Sequence, residues 1–200
     1  MARVDNLRVL DGKNGEFWVR NPWEFSKSGQ NLSAYERNGV FLNGHSGTDT
    51  TFHDIGFLSG ADNTGDGRSV CAWDITGDGR PELFVRQAGG GALVVYKNEF
   101  PAGHWLKLSL KGTASNRFGI GARVVCETDQ RVVRRELYPH INFLSQSPAM
   151  MHLGLGESER ITTLTIHWPS GTTQVLEDLA ADRHLRITED NPTPETIRAK

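Results

Sequence analysis

The sequence predicts an all-β protein, and three observations carry that expectation. Strict alternation of apolar and polar residues recurs along the chain. Glycine is abundant, with 22 among 200 residues, which suits many short strands joined by turns. Long helical periodicity is missing; the best short helical candidates are "SAYERN" near residue 35 and "EDLAAD" near residue 179.

The clearest strands lie from about residue 103 to 189. In "HWLKLSLKG", Leu106, Leu108 and Leu110 share one face and Lys107, Ser109 and Lys111 the other. "GARVVCET" aligns Ala122, Val124 and Cys126, "ITTLTIHW" aligns Leu164, Ile166 and Trp168, and "RHLRITE" pairs Leu185 with Ile187. Such half-apolar strands belong to antiparallel sheets with one wet face, which points to a β-sandwich or barrel. Residues 38 to 100 read differently. "SVCAWD", "ELFVR" and "ALVVYKN" form three apolar runs with short connections, the pattern of a meander or a propeller blade, present once. The expected organisation is an N-terminal extension over 1–32, a repeat unit over 33–102, a sandwich over 103–189 and a polar tail over 190–200. The segment from about residue 15 to 45, with Trp18, Trp23 and Phe41, is expected to pack over the open-edged blade or against the sandwich.

Charge and composition exclude some functions. Lys plus Arg is 22 against 24 for Asp plus Glu, a net charge of −2, which argues against general nucleic-acid binding. No apolar run reaches the ~20 residues that a membrane span needs. The opening "MARVDNLRVLDGKNGE" has no apolar core of the signal-peptide type, so a cytoplasmic protein or the mature part of an exported one is expected. Cys71 and Cys126 are too few for a disulfide framework and are expected as free thiols in separate modules. The seven histidines show no metal-ligand spacing, and no nucleophile elbow or phosphate loop is present. Arg131, Arg134 and Arg135 read as a charged face, and Asn116 as the anchor of a turn.

The chemistry concentrates in "AWDITGDGRPELFV", residues 72–85. Position twelve of an EF-hand counted from Asp74 would be Val85, and both flanks are strands, so an EF-hand is excluded. Hard oxygen donors are nevertheless close together: the carboxylates of Asp74, Asp78 and Glu82, the Thr76 hydroxyl and a backbone carbonyl near Arg80. Ca²⁺ takes such donors in sets of about 6–8. Gly79 permits the sharp turn that gathers them. Asp62, Thr64 and Asp66 mimic the first half of the pattern, but Val70 stands where the closing acid should be, so a solvated turn or one lent ligand is expected there.

The same residues resemble a known family. "SAYERNGVFLN", "GRSVCAWDITGDGRPELFV" and "LVVYKN" resemble a VCBS/FG-GAP repeat. "HWLKLSLKGTASNRFGIGARV", "FLSQ", "MHLGLG" and "IHWPSG" resemble the ASPIC/UnbV domain of cartilage acidic protein and its bacterial relatives. The resemblance implies one propeller-blade-like FG-GAP unit packed on a C-terminal antiparallel sandwich, with Ca²⁺ held by Asp74, Thr76, Asp78, Arg80 and Glu82. It implies an extracytoplasmic or secreted setting and a non-catalytic role in recognition, adhesion or scaffolding, with a protein or glycan partner. The alternative is an enzyme or accessory protein that handles a secondary metabolite or glycan at the module interface, because UnbV takes its name from enediyne biosynthetic clusters.

Overall fold

The computed structural model describes residues 37–44, 51–65, 67–87, 92–140 and 142–197. The described residues form thirteen strands and one short helix: β1 (Phe41–Asn43), β2 (Phe52–Asp54), α1 (Gly56–Ser59), β3 (Gly67–Trp73), β4 (Glu82–Gln87), β5 (Val94–Tyr96), β6 (His104–Lys111), β7 (Arg123–Glu127), β8 (Val132–Glu136), β9 (Met150–Gly156), β10 (Arg160–His167), β11 (Thr173–Ala180), β12 (Arg183–Thr188) and β13 (Glu195–Ile197). The described residues are all-β, with several antiparallel sheets and no closed barrel among them.

Contacts divide the described residues into two compact units. One holds those up to Val70 and Phe84–Tyr96; the other holds Cys71–Leu83 and everything from Lys97 onward. In this division the acidic loop groups with the C-terminal unit. Both cysteines are free, as expected, but both fall in that unit rather than in separate modules.

The C-terminal unit contains two four-stranded sheets, ordered β11-β10-β7-β8 and β13-β12-β6-β9. Alternation places Leu106, Leu108 and Leu110 of β6, Val124 and Cys126 of β7, Ile161, Leu164 and Ile166 of β10, and Leu185 and Ile187 of β12 in one hydrophobic core. Each fully buried aliphatic side chain contributes about 1.5–3 kcal/mol through removal from water. All the alternating faces read from the sequence point inward as expected. One pairing departs from the antiparallel expectation: β12 runs parallel to β6, with Lys107 opposite His184 and Leu108 opposite Leu185. Trp168 closes the core, and its indole N–H donates to Gln174 Oε1 at 3.0 Å, so its polar atom is satisfied.

"EDLAAD" is not helical. Its first four residues end β11, because Gln174 and Leu176 face inward at period two, and the chain turns at Asp182 with φ 57°. "SAYERN" is mostly outside the described residues.

In the other unit, β1 and β2 pair antiparallel, with Leu42 opposite His53. The run of three strands expected from "SVCAWD", "ELFVR" and "ALVVYKN" is a three-stranded sheet in the order β3-β4-β5. Among the described residues of this unit only Ala61 is a buried hydrophobic, while Phe41, Leu42, Phe52, Phe57 and Leu58 are exposed. Of the aromatics expected to pack over the blade or against the sandwich, Phe41 is thus exposed, and Trp18 and Trp23 lie outside the described residues. No helix among the described residues is long and apolar enough to cross a membrane.

Candidate metal loop and its seat on the C-terminal sheet

The loop from Asp74 to Glu82 joins β3 to β4, and its conformation begins with Asp74. That carboxylate accepts the Gly77 N–H on Oδ1 (2.6 Å) and the Gly79 N–H on Oδ2 (2.8 Å), folding the chain back on itself. Gly77 and Gly79 take φ of 77° and 83°, a region that costs other residues about 1–2 kcal/mol. The Thr76 hydroxyl also points at Asp74 Oδ1, at 3.4 Å. Glu82 reaches back from the start of β4, and its Oε2 accepts the Ile75 N–H at 3.0 Å.

The structure thus brings Asp74, Thr76 and Glu82 together, and both carboxylates are buried. Asp78 faces elsewhere. Its Oδ1 caps the Arg80 N–H, and its Oδ2 pairs with the Arg80 guanidinium at 2.6 and 3.0 Å. The Arg80 pair, more than burial or any other neighbour, lowers the Asp78 carboxyl to about 2. The Arg80 guanidinium also donates to the Phe100 carbonyl (3.1 Å), and Asn98 donates to the Pro81 carbonyl (3.2 Å), which ties the loop to residues 98–100. No group of three or more His, Cys, Asp and Glu side chains converges among the described residues.

The loop rests on the outer face of the β6 sheet. Lys107 on β6 places its ammonium 2.6 Å from Asp74 Oδ2, with only 11% of the Lys107 side chain and 1% of that of Asp74 exposed. Burial alone would raise the Asp74 carboxyl; the bonds from Lys107 and from the Gly79 and Gly77 amides outweigh it and hold the group below its ordinary value. The Lys107 ammonium also lies 4.9 Å from the Trp105 ring centroid, a cation–π distance. The backbone of Gly79 presses on the same indole, since a Cβ there would lie 2.0 Å from Trp105 Cδ1. His152, opposite Lys107 on β9, stacks on Trp105 with centroids 6.0 Å apart. Burial, followed by the Lys107 charge, lowers the His152 pKa.

Two buried side-chain atoms at this seat stand out because neither has a hydrogen-bond partner: Glu82 Oε1 and His152 Nδ1. Buried acceptors of this kind are costly, on the order of 1–3 kcal/mol. Glu82 thus has one side-chain oxygen satisfied by the Ile75 amide and the other buried without a partner.

Sequence reasoning identified the loop but missed Lys107, Trp105 and His152 beneath it. The alternation of "HWLKLSLKG" does place Lys107 on the polar face of its strand, so its position was readable and its partner was not.

The other candidates resolve locally. Asp62 pairs with Arg37 at 2.5 Å and falls in the other unit from Asp74, while Asp66 lies outside the described residues. Asn116 anchors its turn as expected, accepting the Ile120 N–H and donating to the Ile120 carbonyl. Arg134 and Arg135 are exposed on β8. Ser109 Oγ lies 2.6 Å from His184 Nε2, but this is a part-buried contact between neighbouring strands. Among the described residues no carboxylate orients that ring.

The fold and the seated loop define an all-β module in which an acidic turn is built into the C-terminal unit. Residues 112–194 match the family model described as ASPIC and UnbV. That span contains Ser115-Asn116-Arg117, Gly119 to Arg123, His152 to Gly156 and Trp168 to Gly171. A search of curated proteins gave no match to the chain.

Proposed function

We propose that the protein is a non-catalytic, calcium-binding β-module for recognition, adhesion or scaffolding, with a protein or glycan partner outside the cell. We read β3-β4-β5 as one FG-GAP-type propeller blade and the two four-stranded sheets as a sandwich. The observation that carries the calcium reading is the buried, unpartnered Oε1 of Glu82 in a turn already closed on the Asp74 carboxylate. A hard dication would supply the charge and the bonding that this oxygen lacks. Asp74, Thr76, Glu82 and the Arg80 carbonyl would hold it. Asp78 would join them by leaving Arg80, an exposed pair of the kind that contributes little to stability.

Calorimetric titration with calcium chloride, alongside thermal melts, tests the proposal. The melting temperature of the wild type should rise with calcium, following a stabilisation of about 2.7 kcal/mol when the free ion is 100 times the dissociation constant. Magnesium should act less well, because it demands a tight octahedron. Asp78→Ala should lose most of the response and Asp62→Ala should keep it. A wild type that binds no calcium at millimolar concentration would reduce the loop to an acidic turn.

A further inference from the structure

We infer that Lys107 is the loop's built-in counter-ion and that its ammonium opposes calcium at Asp74, so this residue sets the affinity of the site. The inference rests on the calcium reading above and concerns the regulation of that same site.

Three observations lead to it. First, an ionised carboxylate offers about four acceptor positions, and those of Asp74 already face the Gly77 N–H, the Gly79 N–H, the Thr76 hydroxyl and the Lys107 ammonium. The two amides are fixed by the turn. An incoming ion must therefore take the place of Lys107 or bind beside it after the Thr76 hydroxyl turns away. Second, Lys107 and Asp74 are both withdrawn from water, so the repulsion between the ammonium and a dication on the same carboxylate is poorly screened. Third, the ammonium has a second seat. It already lies over the Trp105 ring, and it can keep that contact when Asp74 is given up.

The consequence is a loop that is folded in two charge states. With calcium absent, Lys107 neutralises Asp74 and the turn keeps its shape on the β6 sheet. With calcium present, the ion takes over that role and also satisfies Glu82 Oε1. The sequence assigned Lys107 no role because this pairing crosses from a loop to a strand that begins thirty residues after the first ligand, Asp74.

The test compares wild type, Lys107→Gln and Lys107→Arg in the full chain, by calcium calorimetry and by melting in chelator and in calcium. Lys107→Gln should bind calcium at least about tenfold more tightly than wild type, since a close and poorly screened charge is removed. In chelator it should melt below wild type, and calcium should restore it. Lys107→Arg keeps the charge and should stay near the wild-type affinity. If wild type and Lys107→Gln bind calcium equally, the opposition is absent and the inference fails while the calcium reading stands. If none of the three binds, the calcium reading fails and takes the inference with it. A Lys107→Gln chain that stays unfolded at millimolar calcium also overturns the inference, because the ion should then have replaced the ammonium.

Discussion

Glu189, at the end of β12, holds three segments together with one carboxylate. Its Oε2 accepts the N–H groups of Thr113, Ala114 and Ser115 at 2.8–2.9 Å, and its Oε1 accepts the hydroxyls of Ser115 (2.8 Å) and Ser170 (2.5 Å). Burial pushes the Glu189 pKa up, but the bonds from Ser170 and from the Ser115 and Thr113 amides prevail and bring it down to about 2. A folded pKa below the ordinary 4.5 contributes stability that is complete above that value. The contribution is lost as pH falls toward about 2. Glu189→Gln should therefore cost about 1–3 kcal/mol at neutral pH. It should also flatten the acid limb of stability between those two pH values, as read by denaturant melts across pH. An unchanged acid limb would show that other carboxylates set it. This carboxylate nest was not legible in the sequence, because its donors lie more than seventy residues from it in the 113–115 loop and nineteen residues away in the WPSG turn.

At the scale of single elements, the acidic loop separates two glycines that look alike in sequence. Gly77 and Gly79 both take positive φ, yet a Cβ at Gly77 would meet nothing within 4 Å, whereas one at Gly79 would collide with the Trp105 ring at 2.0 Å. Gly77→Ala should cost only the left-handed backbone, about 1–2 kcal/mol. Gly79→Ala adds an overlap that forces the loop off the indole, a further 1–3 kcal/mol by the usual cost of overpacking. Equal melting temperatures for the two variants would mean that the loop slides freely on Trp105. The strands of the C-terminal unit were legible because one wet face and one dry face write period two into β6, β7, β10 and β12. "EDLAAD" misled because Glu, Leu and Ala are good helix formers, and the pairing of β11 with β10 overrode that local preference. At Gly119 a φ of 63° and a would-be Cβ 2.8 Å from Leu110 Cβ leave room only for glycine.

At the scale of the whole molecule, the chain passes into the C-terminal unit at Lys97, close to where the strand pattern changes, but the grouping of Cys71–Leu83 with that unit was not legible, because it rests on contacts made in space. The ligand spacing of residues 74–82 could be read in one pass. Their allegiance to β6 could not, since it depends on Lys107, Trp105 and His152 meeting the loop in space. This has a direct consequence for dissection of the chain. A fragment starting at Lys97 looks like a complete C-terminal module by its strand pattern, but it lacks Cys71–Leu83, which the unit contains. Without the loop, Trp105 and Lys107 face water, so no buried charge is left unpaired and the loss is one of packing over the sheet. The fragment should fold around the Leu106–Ile187 core and be less stable than a fragment starting at Cys71 by about 1–2 kcal/mol, or roughly 5–10 °C in melting temperature. With Trp73 of the longer fragment replaced by Phe, so that both carry only Trp105 and Trp168, acrylamide should quench Trp105 far more readily in the shorter fragment, while Trp168 stays protected in the core. If both fragments melt together and quench alike, the loop contributes nothing to the C-terminal unit, and its seat on the β6 sheet is not a stabilising contact in solution.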